Sequence, residues 1–558
     1  MTIRQDRRSL APPAETHDVI VIGAGFSGLY ALHRLGRLGL DVVCFEAGDG
    51  VGGTWYWNRY PGARVDVESM QYSYSFDEDL QQEWSWPEFF SPQEDLERYA
   101  NHVADRFGLR ERIRFGARVD RMTYDEDAAR WHVRTEGGDE ASARYVVAAP
   151  GSLDAANLPP LPGMEAFRGE RHHTAQWPAG GLDFAGKRVG VIGTGSTGIQ
   201  AIPIIAESAG HLYVFQRTPA FSIPANNRPL DQAYEREWKA QYPARRAAAR
   251  RGPAATYLAT PSSGSALAHS PEERQRLLEA AWAARSGVLF LRTFDDTMRS
   301  SAANEIVAEF IRGKIRETVR DPATAEALCP KTYPVGAKRI CMDTGYYQTF
   351  NRENVTLVDL RAAPLVEVTP SGLRTEAAQY DLDVLVFATG FDAVTGAYTR
   401  MNITGAGGRD LRDKWARGPT SFLGFLVAGF PNLFMVHGPG SPGVLAQMIA
   451  GAEWQVDWIA RFIERMAAEG WTTVDTTSDW EASWAAEVRE AAERTLYGGA
   501  DSWYSGANIA GKPRGFMIYL GGFPRYTQRC QEQVAAGYQG FVLTRADAAD
   551  GPDETGVA

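Results

Sequence analysis

Two glycine triplets of the pattern G-x-G-x-x-G carry the clearest chemical content of this chain: Gly23, Gly25, Gly28 and Gly193, Gly195, Gly198. Such a loop lets the backbone approach a pyrophosphate, which rests on the N-terminus of the following helix where free N–H groups point outward. The two loops differ in the residue that closes the next strand. After the first loop it is Glu46, whose carboxylate accepts hydrogen bonds from unphosphorylated ribose hydroxyls and repels a 2′-phosphate, which suits the ADP half of FAD. After the second it is Arg217, which offers charge-assisted, bidentate bonds to a 2′-phosphate and selects NADPH over NADH. Thr194, Ser196 and Thr197 add hydroxyls for phosphate oxygens, and Thr218 stands beside Arg217.

The elements that must position these residues follow from the apolar pattern. DVIVIG at Asp18, an apolar helix FSGLYALHRLGRLG and a second strand DVVCFEAG make a β-α-β unit. The same grammar returns at Lys187 with KRVGVIG, TGSTGIQAIPIIAESAG and HLYVFQRTP. The fold class is therefore α/β, with two dinucleotide-binding, Rossmann-like domains. The expected division is 1–150 and 383–545 for the FAD-binding domain, 151–223 and 331–382 for the NADP-binding domain, and a helical insertion over 224–330 that is rich in Ala, Arg and Glu. On this reading the run DVLVFATGFD at Asp383 leads the chain back to the first domain, FLGFLVAGF at Phe422 is buried strand, and two amphipathic helices lie between Ala452 and Tyr497.

A chain of 558 residues is too long for one ordinary core. A net charge of −11 argues against a nucleic-acid or anionic-membrane partner. Cys44, Cys329, Cys341 and Cys530 are scattered without a C-x-x-C, which fits free thiols in a reducing cytoplasm and gives no metal cluster. The opening MTIRQDRRSLAPPAETHD lacks an apolar core, so no secretory signal is expected, and no apolar run approaches the roughly 20 residues of a membrane span. The acidic, polar end, 546–558, reads as a flexible tail, and nothing in the pattern demands more than a monomer.

Between the two loops, FRGERHHTAQWP fits F-x-G-x-x-x-H-x-x-x-W-P at Phe167, Gly169, His173, Trp177 and Pro178. This string, over 167–178, resembles the fingerprint of the type I Baeyer–Villiger monooxygenases, flavoenzymes that insert one oxygen atom of O2 beside a ketone carbonyl. GGTWYWNRYPGARVD, AKR at Ala337, ATGFD at Ala388, GPGSP at Gly438 and SWYSGANIAGKPR at Ser502 extend the resemblance along nearly the whole chain, closest to the phenylacetone and steroid monooxygenase branch.

The resemblance implies FAD contacts from Phe26, Gly53, Thr54, Trp55, Tyr56, Trp57, Arg64, Asp66, Tyr72, Val119 and Met448. It makes Arg339 the catalytic arginine, Asp66 its carboxylate partner, Lys338 a second NADPH phosphate contact and Trp503 a nicotinamide contact from a mobile loop. His173 becomes an organiser of the interdomain linker, and the chemistry proceeds through a C4a-peroxyflavin to an ester or lactone. Ile340, Cys341 and Met342, together with the loop from Gly438 to Met448, fall where the substrate is chosen, so the ketone itself stays open. Two other readings share the glycine loops: a flavin-containing monooxygenase acting on sulfur or nitrogen, and a flavin-binding sensor without catalysis. A disulfide reductase would need a redox-active cysteine pair, which this sequence lacks.

Overall fold

The computed structural model describes residues 15–259, 261–284 and 288–545, so the expected tail, 546–558, and residues 1–14 lie outside it. Thr16–Ile22 forms a central strand of an eight-stranded sheet, flanked in parallel by Val42–Phe45 and Glu140–Ala148. Val19, Ile20 and Val21 are fully buried, which is why this strand is continuously apolar from Val19 to Ile22 rather than alternating. The helix Phe26–Gly36 covers one face through Leu29, Leu32 and Leu35. Against the opposite face packs Trp131, with Met122, Phe430 and Leu433 around it. Antiparallel strands Val119–Asp125 and Arg130–Thr135 extend the sheet beyond Glu140–Ala148.

The second sheet has five parallel strands in the order Val355–Asp359, His211–Gln216, Arg188–Ile192, Val384–Phe387, Glu170–His173. This corrects two expectations. Val384–Phe387 is not itself part of the first unit but sits second from the edge of the second sheet, paired with Arg188–Ile192 and Glu170–His173. The chain rejoins the first sheet later, where Ile403–Thr404 pairs with Val119–Asp125 and Leu433–Met435 with Glu140–Ala148. The fingerprint is likewise not a bare linker: Glu170–His173 is the edge strand beside Val384–Phe387.

Helices Gln232–Arg251, Pro271–Ala284, Ser301–Thr318 and Pro322–Leu328 occupy the stretch read as helical. At its neck Ser222–Pro224 pairs in parallel with Cys341–Asp343, which brings the Lys338–Arg339 segment back against the second sheet. Helices Met448–Glu469 and Ser478–Glu493 fall where two were expected, with an unexpected strand, Trp471–Asp475, between them. The expected strand at Phe422 is a buried turn instead. Leu423 (φ 57°) and Gly424 (φ 75°) both take left-handed conformations, so the chain folds back and Phe422 N donates to Leu426 O at 2.7 Å. Among the described residues no helix is long and apolar enough to cross a membrane.

Trp131 is fully buried and its indole N–H donates to the Pro431 carbonyl at 2.7 Å, tying the first half of the sheet to its late return. Trp131→Ala is expected to lower the stability of this unit by about 3–5 kcal/mol. Chemical unfolding followed by circular dichroism measures it, and a loss under about 1 kcal/mol would contradict the packing described.

Candidate active site

Each glycine loop is shaped by backbone meeting backbone. Gly23 has φ +94°, and a Cβ there would lie 2.6 Å from Ala149 O; a Cβ on Gly28 would lie 1.7 Å from Gly23 O. The second loop repeats this, with Gly193 at φ +109° and its Cβ position 2.4 Å from Ala388 O, and that of Gly198 2.3 Å from Gly193 O. Gly195 differs: a Cβ there would meet nothing within 4 Å. Both following helices, Phe26–Gly36 and Ser196–Ser208, begin without a side-chain cap and without an acidic residue in the first turn. Their leading N–H groups are thus left for an external anion, as a nucleotide pyrophosphate requires.

Glu46 is buried, and its two oxygens accept from Ala24 N at 2.6 Å and Gly48 N at 2.7 Å. Burial pushes its pKa up despite those bonds. The residue read as a ribose ligand therefore also ties the first loop to the end of its strand, and each oxygen keeps a second lone pair for a hydroxyl.

Gly53 (φ +55°) lies against that loop, its Cβ position 2.8 Å from Gly25 Cα, and starts the short helix Thr54–Trp57. Trp55 donates from Nε1 to the Tyr72 hydroxyl at 3.2 Å, and the Phe26 and Trp55 rings both meet Tyr72 edge-on at 5.9 Å. Tyr56 is turned away, its hydroxyl bonded to Asp49, while Trp57 lies under the Arg118 guanidinium. Arg64 is paired with Glu88 at 2.9 Å and bonded to Phe90 O at 3.0 Å, with its Nε buried and unpartnered. Val119 is buried at the start of its strand, and Met448 begins the helix that continues to Glu469.

Arg339 reaches across from the second unit to Asp66. Its Nε and one terminal nitrogen both lie 2.6 Å from Asp66 Oδ2, and its other terminal nitrogen donates to Val444 O at 2.9 Å. The Arg339 side chain keeps 22% exposure, so it is recessed but reachable. Burial works against its charge; the Asp66 carboxylate, with Tyr504 beside it, overrides that effect and raises its pKa. The guanidinium is therefore a permanent cation. Two of its partners were not read from the sequence. Tyr504, 1% exposed, packs at 4.4 Å against Trp503 and belongs to a loop held by a Lys512–Asp392 ion pair and by Asn508 Nδ2 donating to Phe391 O at 2.8 Å. Val444 O is a backbone atom that no side-chain motif reports.

The second loop meets the same place. Ser196 Oγ lies 3.3 Å from Cys341 Sγ, and Thr194 Oγ1 donates to Thr218 O at 3.1 Å. Thr197 lies at the buried Tyr60 hydroxyl, which donates to Gln200 at 2.8 Å and links the two units. Arg217 is exposed, and among the described residues its side chain has no hydrogen-bond or ion-pair partner. Lys338 extends its amine over the Tyr333 ring at 5.1 Å. His173 is buried: Nδ1 accepts from Ala175 N at 3.0 Å, which leaves the ring proton on Nε2, 3.3 Å from Thr389 Oγ1. Burial lowers its pKa, so it stays neutral and ties the fingerprint to the segment after Phe387.

The flavin-binding monooxygenase-like family profile matches residues 16–237. A Baeyer–Villiger monooxygenase of Pseudooceanicola batsensis is 42% identical over 95% of this chain and 96% of its own length. A phenazine N-monooxygenase of Lysobacter antibioticus is also 42% identical, over 95% of this chain and 97% of its own. The solved structure of an oxidised steroid monooxygenase bound to NADP shares 50% identity and a TM-score of 0.90, covering 95% of this chain and all of that one.

The empty space at Gly195 and the crowding at Gly193 make opposite predictions. Gly195→Ala is expected to leave the melting temperature unchanged and weaken nucleotide binding by about tenfold or more. Gly193→Ala is expected to destabilise the unit itself by about 1–3 kcal/mol or more. Thermal unfolding and nucleotide titration of both variants check this, and equal behaviour of the two would contradict it.

Proposed function

This chain belongs to the Baeyer–Villiger monooxygenases, and we propose that its chemistry is organised around one permanent cation, Arg339, oriented by Asp66. The protein is an NADPH- and O2-dependent flavin monooxygenase that converts ketones to esters or lactones. Bound FAD and NADPH would supply the two reducing equivalents that activate O2, of which one atom enters the product and the other leaves as water.

The protein supplies position, charge and exclusion of water. As a ketone carbonyl is attacked, its oxygen gathers negative charge, and that charge must be held while a carbon group migrates from carbon to oxygen. The Arg339 guanidinium keeps its proton throughout and so stabilises that charge. The observation that carries this role is the double contact of Arg339 on one Asp66 oxygen at 2.6 Å, with the remaining terminal nitrogen on Val444 O. These bonds set the plane of the cation before any substrate arrives.

FAD would be held by the first loop with Glu46 and the Gly53–Trp57 turn. NADPH would be held by Gly193 to Gly198, with Arg217, Thr218 and Lys338 at its 2′-phosphate and Trp503 at its nicotinamide end. The fit is supported by the uncapped helix starts, the open space at Gly195 and the unpaired Arg217. We accordingly assign the eight-stranded sheet to FAD and the five-stranded sheet to NADP, and read the enzyme as a monomer of the reducing cytoplasm, where its four free cysteines are all buried. The likeness to a phenazine N-monooxygenase favours a second reading, in which a heteroaromatic nitrogen takes the oxygen.

A panel of aryl, cyclic and polycyclic ketones and one heteroaromatic amine, each with NADPH and air, tests the assignment by mass spectrometry. Lactone or ester formation is expected, and a gain of oxygen on the amine alone would move the protein to the second reading. Arg339→Ala is expected to leave flavin reduction by NADPH in place while ester formation falls about 100- to 1,000-fold, a loss of about 2.7–4 kcal/mol of stabilisation. Retained ester formation would remove Arg339 from this role. Arg217→Ala is expected to raise KM for NADPH far more than for NADH, and an equal effect on both would show that it does not read the phosphate.

A further inference from the structure

The parallel pairing of Val355–Asp359 with His211–Gln216 sets Asp359 opposite Gln216. Leu360 N then donates to Gln216 O at 2.8 Å, so the two strands leave the sheet together. Arg217 follows one strand and Arg361 follows the other. The Asp359 carboxylate caps the second turn by accepting from Arg361 N at 2.9 Å. Among the described residues the Arg361 guanidinium makes no ion pair; its Nη2 lies 3.2 Å from Thr332 Oγ1 and 3.4 Å from Thr218 Oγ1. Lys338 faces both arginines.

Three cations, the exposed Arg217 and Arg361 and the half-buried Lys338, thus share one corner with little carboxylate charge to balance them. Asp501 faces Lys338 but is paired with Arg514 at 2.9 Å, and Asp359 is occupied by its turn. Burial lowers the Lys338 pKa, and Arg217 and Arg361 lower it further, so the corner is under like-charge strain. A ligand carrying about two negative charges relieves that strain, and a phosphate monoester has close to that charge at neutral pH. With the guanidinium engaging the lone pairs of Thr218 and Thr332, their hydroxyl protons are left to donate to such an anion.

We propose that Arg361 is a specificity-determining residue for NADPH, a third cation that binds the 2′-phosphate jointly with Arg217 and Lys338 and orients Thr218 and Thr332 toward it. The proposal rests on the assignment of the second glycine loop to NADPH.

The test uses the flavin-loaded enzyme and two probes, adenosine 2′,5′-bisphosphate and adenosine 5′-monophosphate. The unaltered enzyme is expected to prefer the bisphosphate. Arg361→Gln is expected to weaken bisphosphate binding about tenfold, with monophosphate binding and flavin absorbance unchanged and the melting temperature of the unliganded protein held or slightly raised, and Arg361→Lys is expected to recover most of the loss. Parallel kinetics should show KM for NADPH rising with kcat and the KM for NADH held. Equal weakening of both probes, or no weakening of the bisphosphate while Arg217→Ala still abolishes the preference, would overturn the role of Arg361 alone. No preference in the unaltered enzyme would overturn the NADPH assignment itself.

Discussion

The contact between Arg339 and Asp66 is the interaction on which the rest of the structure turns, because it joins two units that have separate cores. Asp66 belongs to the turn-rich segment after the first glycine loop, and Arg339 to the segment that returns from the helical stretch. Neither unit holds the other partner. A guanidinium taken this far from water loses solvation, and only a carboxylate in direct contact makes its charge favourable there. The pair therefore bridges the units as well as fixing the orientation of the cation. Tyr60 on Gln200 and Gln200 on the Arg64 carbonyl run alongside it and hold the same approach.

The glycines explain how two nucleotide loops can come so near one cation. At Gly28 and Gly198 a side chain would strike the carbonyl of the first loop glycine, so helix and strand pack at backbone distance. Gly53 and Gly25 touch in the same way, which stacks the Gly53–Trp57 turn directly on the first loop. Gly62 is pressed against the carbonyl of Gln200, on the helix that follows the second loop. Each close approach removes a side-chain layer, and together they draw the Arg339 segment, both loops and the Trp55–Tyr72 aromatic pair around a common space.

Much of this was legible in the sequence where the relevant physics is local. A glycine triplet between an apolar strand and an apolar helix, closed by Glu46 or Arg217, is a short-range pattern, and the two β-α-β units appear where it puts them. What failed was long-range. Val384–Phe387 is apolar enough to be buried in either sheet, and only the pairing with Arg188–Ile192 decides which. All four side chains of Glu170–His173 are charged or titratable, so it does not look like strand, yet an edge position tolerates them. The run at Phe422 has the composition of a strand, but Leu423 and Gly424 turn it back, and a left-handed leucine has no sequence signature. Tyr504, Val444 and Arg361 join their neighbours only through tertiary contacts. The roles given to Arg339 and Asp66 came from resemblance, since nothing within either segment announces the pairing.

The contrast between paired and unpaired cations separates the two functions of the site. Arg339 has a carboxylate on one edge and a carbonyl on another, so its charge is retained and its plane fixed. In the role proposed for it, it answers to charge that appears only while oxygen is being transferred. Among the described residues Arg217 and Arg361 have no carboxylate partner, and both disfavour the ammonium of Lys338. In the proposed assignment their surplus charge answers to an anion that arrives already formed. A protein that paired the second group as it pairs the first would fold more comfortably and discriminate poorly between phosphorylated and unphosphorylated ribose. Repulsion held within the folded corner is the differential on which that discrimination depends.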